Sequence, residues 1–214
     1  MMSVALLAHT AEPDRLCGRA AAICTGYTGD PVQALRGALK SGHESIAEHA
    51  TFTFAIDGVS RVLLAQITRH RLASFSVQSQ RYCGADLETV TPESMIRPEL
   101  VDDIIEAKRV VKRLYDKAIA LGVPAEDARY YTFQGGVTRK IITMNARELR
   151  HFFGLRCCNR AQWEIRELAD EMLRLCREVA PVLFADAGPG CVRGGCPEGA
   201  KSCGKPRRGD NAAD

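Results

Sequence analysis

The sequence predicts an α+β fold, a single domain in which an antiparallel sheet carries long helices. Three stretches support it. Residues 51–56 alternate and put Phe52, Phe54 and Ile56 on one face, as a half-buried strand does. Residues 98–121 repeat Val101, Ile104, Ile105, Val111, Leu114, Ala118 and Leu121 at helical spacing. Residues 137–144, rich in β-branched side chains at Ile141, Ile142 and Thr143, read as a second strand. With 214 residues the chain is long enough for one such core, with or without a tail.

The remaining elements follow from local chemistry. Asp30 as N-cap and Pro31 in the first turn open a helix striped by Val32, Leu35 and Leu39 and closed by Gly42. Asp57-Gly58 is expected to turn the chain at the end of the first strand. Ser60 caps a helix through Val62, Leu63, Gln66 and Ile67 to about Arg69, and the hydroxyl-rich stretch after it reads as a loop. Gly122 and Pro124 stop the long helix, and Glu126 and Asp127 sit in the first turn of a short one. Asn145 with Glu148, and Asn159 with Gln162, are expected helix starts of the capping-box kind. The second leads an amphipathic helix through Ile165, Leu168, Met172 and Val179 to Pro181. Gly, Pro, Cys and Lys then dominate, so the domain is expected over residues 1–185 and a loosely structured tail over 186–214.

Composition narrows the function. The chain is 46% hydrophobic and 26% charged, ordinary for a soluble globular protein. A net charge of +3 is too small for a general nucleic-acid binder. No apolar run approaches the ~20 residues of a membrane span, and no signal peptide is apparent. Nine scattered cysteines, an odd number, argue against a disulfide framework and for a reduced, cytoplasmic protein. Cys191, Cys196 and Cys203, with Cys157 or Cys158, offer a loose thiolate set for zinc, but the expectation is no metal.

The basicity is local. Arg69, His70 and Arg71 stand together, Arg81 follows, and no Asp or Glu lies between Gly58 and Ala85. Seven Lys/Arg, at 129, 139, 140, 147, 150, 156 and 160, face one acid, Glu148, in a second block. Uncompensated guanidinium forks suit an anionic guest such as a phosphate, a carboxylate or an ionised heterocycle. Two such blocks could line one anion pocket; the alternative is two solvated faces, which is the better reading for any single arginine of the set. Ser79 has no evident base to make it a nucleophile and is read as a hydrogen-bonding ligand contact. His70 could act as a general base, but beside two arginines its protonated form is disfavoured, and a neutral hydrogen-bonding role is read at least equally. No Gly-x-Gly-x-x-Gly supports a Rossmann nucleotide site.

Four ordered blocks carry a family resemblance over roughly residues 25–185. They are Gly42-His43-Glu44-Ser45 with Glu48-His49 and Phe52-Thr53-Phe54; Arg69-His70-Arg71, seven residues, then Ser79-Gln80-Arg81-Tyr82; Asn145-Ala146-Arg147 with Leu155-Arg156; and Ala161-Gln162-Trp163-Glu164-Ile165. The set resembles the flavin-dependent thymidylate synthases. The resemblance implies reductive methylation of dUMP to dTMP, with methylenetetrahydrofolate as carbon donor, reduced FAD as hydride donor and NADPH as reductant. It implies a homotetramer with active sites between subunits, with no nucleic-acid and no membrane partner. It assigns Arg156 to catalysis, polarising or ionising the pyrimidine. It assigns Gln66, Ile67, Thr68, Arg69, Val77, Gln78, Ser79, Gln80, Arg81, Arg129 and Arg156 to dUMP. Ser45, Arg69, His70, Arg71, Val77, Asn145, Arg147 and His151 are assigned to FAD. Val77 stands where the family often has Asn or an acid and offers only backbone groups. His151 stands where some members have Asn. The rival readings are a flavin- and folate-using methyltransferase of RNA uridine, disfavoured by 6% aromatic content, and a non-enzymatic zinc and nucleic-acid binding module built on the tail cysteines.

Overall fold

A computed structural model describes residues 2–84 and 87–207. The strands are β1 (Ser3–His9), β2 (Thr51–Ser60), β3 (Ala73–Val77) and β4 (Val137–Asn145), in sheet order β1-β2-β4-β3. The helices are α1 (Pro13–Thr25), α2 (Pro31–Lys40), α3 (Arg61–Ile67), α4 (Pro98–Ala120), α5 (Ala125–Ala128), α6 (Ala146–Arg156) and α7 (Trp163–Val179). The sheet is antiparallel, as expected. Across β2 and β4 the register descends from Ala50–Ala146 through Thr53–Thr143, whose hydroxyls are 2.9 Å apart, and ends at Arg61–Gly136.

Contacts gather the chain into two units. One comprises residues 1–3, 56–66 and 76–140; the other comprises 4–55, 67–75 and 141–214. The second holds an aromatic core. Phe52 and Phe153 each meet Phe184 edge-on, at 5.4 and 5.8 Å, and Phe152 meets Phe153 at 5.6 Å. Leu35, Ile142, Leu149, Ile165, Leu168 and Met172 are buried with them. Asp30 caps α2 through the Val32 amide, as its position before Pro31 predicts. Asp14 of α1 accepts from the amides of Val182 and Leu183, both at 2.9 Å, and ties the start of the chain to the segment after α7. In the first unit, α4 is a long amphipathic helix whose apolar stripe stays substantially exposed at Val101, Ile105, Leu114 and Ile119.

Three local expectations need correction. β2 does not end at Asp57-Gly58. Its alternation slips there, with burial at 52, 54 and 56 and then at 59, and Gly58 takes φ 72°. An extra residue accommodated in a strand does this, so the pair makes a bulge rather than a turn. The hydroxyl-rich stretch is no loop: Ala73–Val77 forms β3 at the sheet edge, with Ser74 and Ser76 outward. The cap of α7 is Gln162, whose Oε1 accepts from Glu164 and Ile165, whereas Asn159 donates to the Lys205 carbonyl. β1 and α1 were not anticipated.

Candidate functional site

The most constrained polar constellation lies on α6. Asn145 caps this helix by accepting from the Glu148 amide at 2.9 Å. Glu148, Phe152 and Arg156 then follow at i, i+4 and i+8 and share one face. His70, held just beyond α3 by its amide bond to the Ile67 carbonyl, lies along that face. Its Nδ1–H donates to Glu148 Oε1 at 2.9 Å, its Nε2 accepts from Arg156 Nε–H at 3.2 Å, and its ring stands edge-on over Phe152 at 5.0 Å. Both His70 and Glu148 are buried. Burial holds the His70 imidazole below its ordinary pKa, aided by Arg156 and His151 and opposed by the Glu148 carboxylate. The neutral reading of His70 therefore holds, though the arginine that acts on it is Arg156 rather than a sequence neighbour. Burial also lowers the Arg156 guanidinium pKa.

The other residues expected to meet FAD, Val77 excepted, lie in the same unit as this centre. Ser45, Arg69, Arg71 and His151 are exposed, and the His151 ring lies 5.8 Å from that of His70. Arg69 and Arg71 make no ion pair with any described residue. Arg147 is less available, because it pairs with Glu48. Asn145 uses only Oδ1 as a cap, so its amide protons remain for another acceptor. Unneutralised guanidinium forks beside hydroxyl, amide and imidazole groups are a donor set that fits a pyrophosphate-bearing flavin. Val77 belongs to the other unit.

Most residues expected at the nucleotide fall in that other unit. Gln78, Ser79 and Gln80 line a narrow cleft with Arg61, Cys83, Val137 and Thr138, with room for about one water molecule. Thr138 Oγ1 is buried there without a hydrogen-bond partner among the described residues. Ser79 Oγ accepts from the Arg81 amide at 3.2 Å, and no described histidine or carboxylate hydrogen-bonds it. Arg81 Nε donates to Glu126 at 2.7 Å, and Arg129 Nε donates to the Glu126 carbonyl at 3.1 Å. Burial, with Arg129 nearby, lowers the Arg61 pKa. Gln66 lies in the same unit, whereas Ile67, Thr68 and Arg69 lie with Arg156.

The second basic block does not converge on one pocket. Arg150 is buried between Glu44 (3.0 Å), Asp186 (2.7 Å) and the Leu183 carbonyl, a structural role. Arg139 faces Asp57 at 3.8 Å, and Arg160 donates to the Lys201 carbonyl. Of that block, Arg129 lies in one unit and Arg156 in the other. A cavity of about 590 Å³ beside α7 includes Cys157, Asp170, Arg174, Arg177, Glu178 and Arg207, but none of the expected ligand residues. Its charges are internally matched: Arg207 binds Asp170 at 2.8 Å, and Arg174 binds Glu171 and Glu178. The cysteines are free thiols. Among the described residues, the group spaced for a metal is His70, Glu148 and His151, and Arg156 already occupies His70 Nε2. Glu148, Glu126, Arg61 and Thr138 are site residues that sequence reasoning missed. Only Glu148 left a signal, as the lone acid in a basic stretch.

The profile of a family described as thymidylate synthase complementing protein matches residues 5–182. A protein from Geobacter sulfurreducens named flavin-dependent thymidylate synthase is 47% identical, over 95% of this chain and 94% of its own length. One of the same name from Nitratidesulfovibrio vulgaris is 45% identical over 94% of each. A third, from Pyrococcus furiosus, is 48% identical over 73% of this chain and 69% of its own. Among solved structures, the UMP/dUMP methylase PolB from Streptomyces cacaoi, bound with 5-Br dUMP, shares the fold. Its TM-score is 0.76 at 22% identity, over 86% of this chain and 93% of that one.

Proposed function

The chain belongs to the flavin-dependent thymidylate synthase family, and on that premise we propose how its residues convert dUMP to dTMP. Methylenetetrahydrofolate gives the carbon and NADPH the reducing equivalents; FAD, when bound, supplies the hydride. No described helix is long and apolar enough to cross a membrane, and the reaction is assigned to the cytoplasm.

Methylating C5 of uracil requires that carbon to be electron-rich. The Arg156 guanidinium provides this by stabilising negative charge on the pyrimidine's N3 and carbonyl edge. Arg69, also assigned to the nucleotide, and Arg71 neutralise the anionic groups of the two ligands beside it, with Ser45, His70, Asn145, Arg147 and His151 completing the flavin contacts. Ser79, Gln80, Arg81 and Arg129 hold the nucleotide phosphate, and Gln66, Ile67, Thr68, Val77 and Gln78 complete the dUMP contacts. Arg81 must exchange Glu126 for the phosphate, trading one anion for another. The cleft at Ser79 is too narrow for a phosphate as it stands and must widen to take one. The exposed apolar stripe of α4 supports assembly into a homotetramer with sites between subunits.

The observation that carries this reading is the buried His70, hydrogen-bonded to Arg156 with His151 close by, in a segment whose flanking Arg69 and Arg71 are exposed and make no ion pair with any described residue. An anaerobic assay for thymidylate, omitting dUMP, FAD, methylenetetrahydrofolate or NADPH in turn, tests it. Each omission should abolish product. Arg156→Ala should reduce kcat by about a hundredfold or more, the scale of a lost transition-state charge contact. Parental turnover in that variant, or product formed without flavin, would overturn the reading.

A further inference from the structure

We propose that Glu148 is a positioning residue: by accepting the Nδ1 proton of His70 it fixes the tautomer whose Nε2 accepts from Arg156, and so sets the aim of that guanidinium. The inference rests on the reading of Arg156 as the group that polarises the pyrimidine.

The argument is one of complementary donors and acceptors. An ionised carboxylate only accepts, so the nitrogen of His70 facing it must carry the proton. A neutral imidazole carries one proton, so Nε2 is left with a lone pair. Arg156 Nε–H is a permanent donor and finds that lone pair at 3.2 Å. The opposite tautomer would set two N–H groups against each other on the Arg156 side and leave the buried carboxylate facing a lone pair. Each is costly where water cannot compensate. Protonated His70 fails on the Arg156 side for the same reason, with like charges added. Phe152 packs against the same ring in a T-shaped contact, with centroids 5.0 Å apart.

The helix spacing makes this possible. Glu148 and Arg156 are two turns apart on one face of α6, about 12 Å along the axis at 1.5 Å per residue. Both side chains reach inward to the two nitrogens of a single ring. The charged and titratable groups facing His70 are Glu148 and Arg156, with His151 from the same helix. Because the carboxylate is what holds the imidazole pKa up against burial, removing its charge should lower that value further.

Two substitutions separate positioning from packing. Glu148→Leu keeps the approximate volume and removes the acceptor. Glu148→Gln keeps an acceptor and removes the charge. In the FAD-loaded enzyme, Glu148→Leu should lower kcat by about tenfold or more, with a smaller change in KM for dUMP, because aim matters most in the transition state. Glu148→Gln should recover most of that loss and move the acid limb of kcat to lower pH. In an Arg156→Ala background, Glu148→Leu should add little, the signature of residues acting as one unit. In ¹⁵N-histidine spectra of the parent protein, the His70 resonances should report an unprotonated Nε2. Parental kcat in Glu148→Leu, additive losses with Arg156→Ala, an unmoved acid limb in Glu148→Gln, or a protonated Nε2 would each overturn the proposal. If Glu148→Leu does not fold, the pH profile of Glu148→Gln and the parent spectrum decide it. A parent enzyme that forms no thymidylate would instead overturn the reading of Arg156, and this inference with it.

Discussion

At the scale of single residues, the chemistry lies in who holds whom. Arginines that look equivalent in the sequence have different fates. Arg150 is buried and triply bonded, Arg147 and Arg139 face carboxylates, and Arg69 and Arg71 stand uncompensated. Sequence counts charge and cannot count partners, because the partners come from far along the chain: Glu44 and Asp186 for Arg150, and His70 for Arg156. The cationic cluster itself was legible, because a run without acids cannot neutralise itself locally. Glu148 was read as part of a cap and as the lone acid of a basic block, with no role assigned to its carboxylate. Its amide does fulfil that role, and its carboxylate serves another. Ser79 is tied into a turn with the Arg81 amide and has no activating base among the described residues. Ser79→Ala should therefore leave partial activity, with the loss appearing mainly in KM for dUMP. Complete loss of turnover with unchanged dUMP affinity would instead point to covalent chemistry at that hydroxyl.

At the scale of elements, the helices other than α1 were legible and the edges of the sheet were not. Asp30-Pro31, Pro98 with Gly122, and Asn145 each mark a helix end that the structure contains. Such caps act within a few residues, so one sequence shows them. β3 escaped because an edge strand need bury only one face, and its other face here is serine. The Asp57-Gly58 pair misled because the same dipeptide serves a turn and a bulge; neighbouring strands, absent from a linear reading, decide between them. The bulge has a measurable cost structure. Gly58→Val must place a β-branched residue at φ 72° and should destabilise the protein by about 1–3 kcal/mol. Gly37→Ala, in the interior of α2 with open space around its Cβ, should stabilise it by about 0.5–1 kcal/mol. Denaturant midpoints of the two variants should move in opposite directions.

At the scale of the whole molecule, long-range ion pairs link segments that the sequence presents as separate. Asp186, which follows the catalytic fold's last helix, sits on the buried Arg150, which also binds Glu44. Burial opposes ionisation of Asp186, but the hydrogen bonds and charge of Arg150 outweigh it and hold the carboxyl below its ordinary value of 3.8. A carboxyl with a depressed folded pKa contributes stability that is fully present above the unfolded value and lost as pH falls through the folded one. Asp186→Asn should accordingly lower the melting temperature at neutral pH. The difference from the parent should close as the pH drops below 3.8. A constant difference at all pH values would show that the residue acts through packing alone.

The clasp formed by Arg207, Asp170 and Asn159, with Asn159 also bound to the Lys205 carbonyl, bears on how the gene is cloned. An expression insert trimmed to the recognised profile boundary at residue 182 would discard the counter-ions of two arginine–carboxylate pairs and bare the loop that follows Arg156. Recombinant protein for crystallography is better carried through Arg207 than shortened to the boundary that alignment suggests.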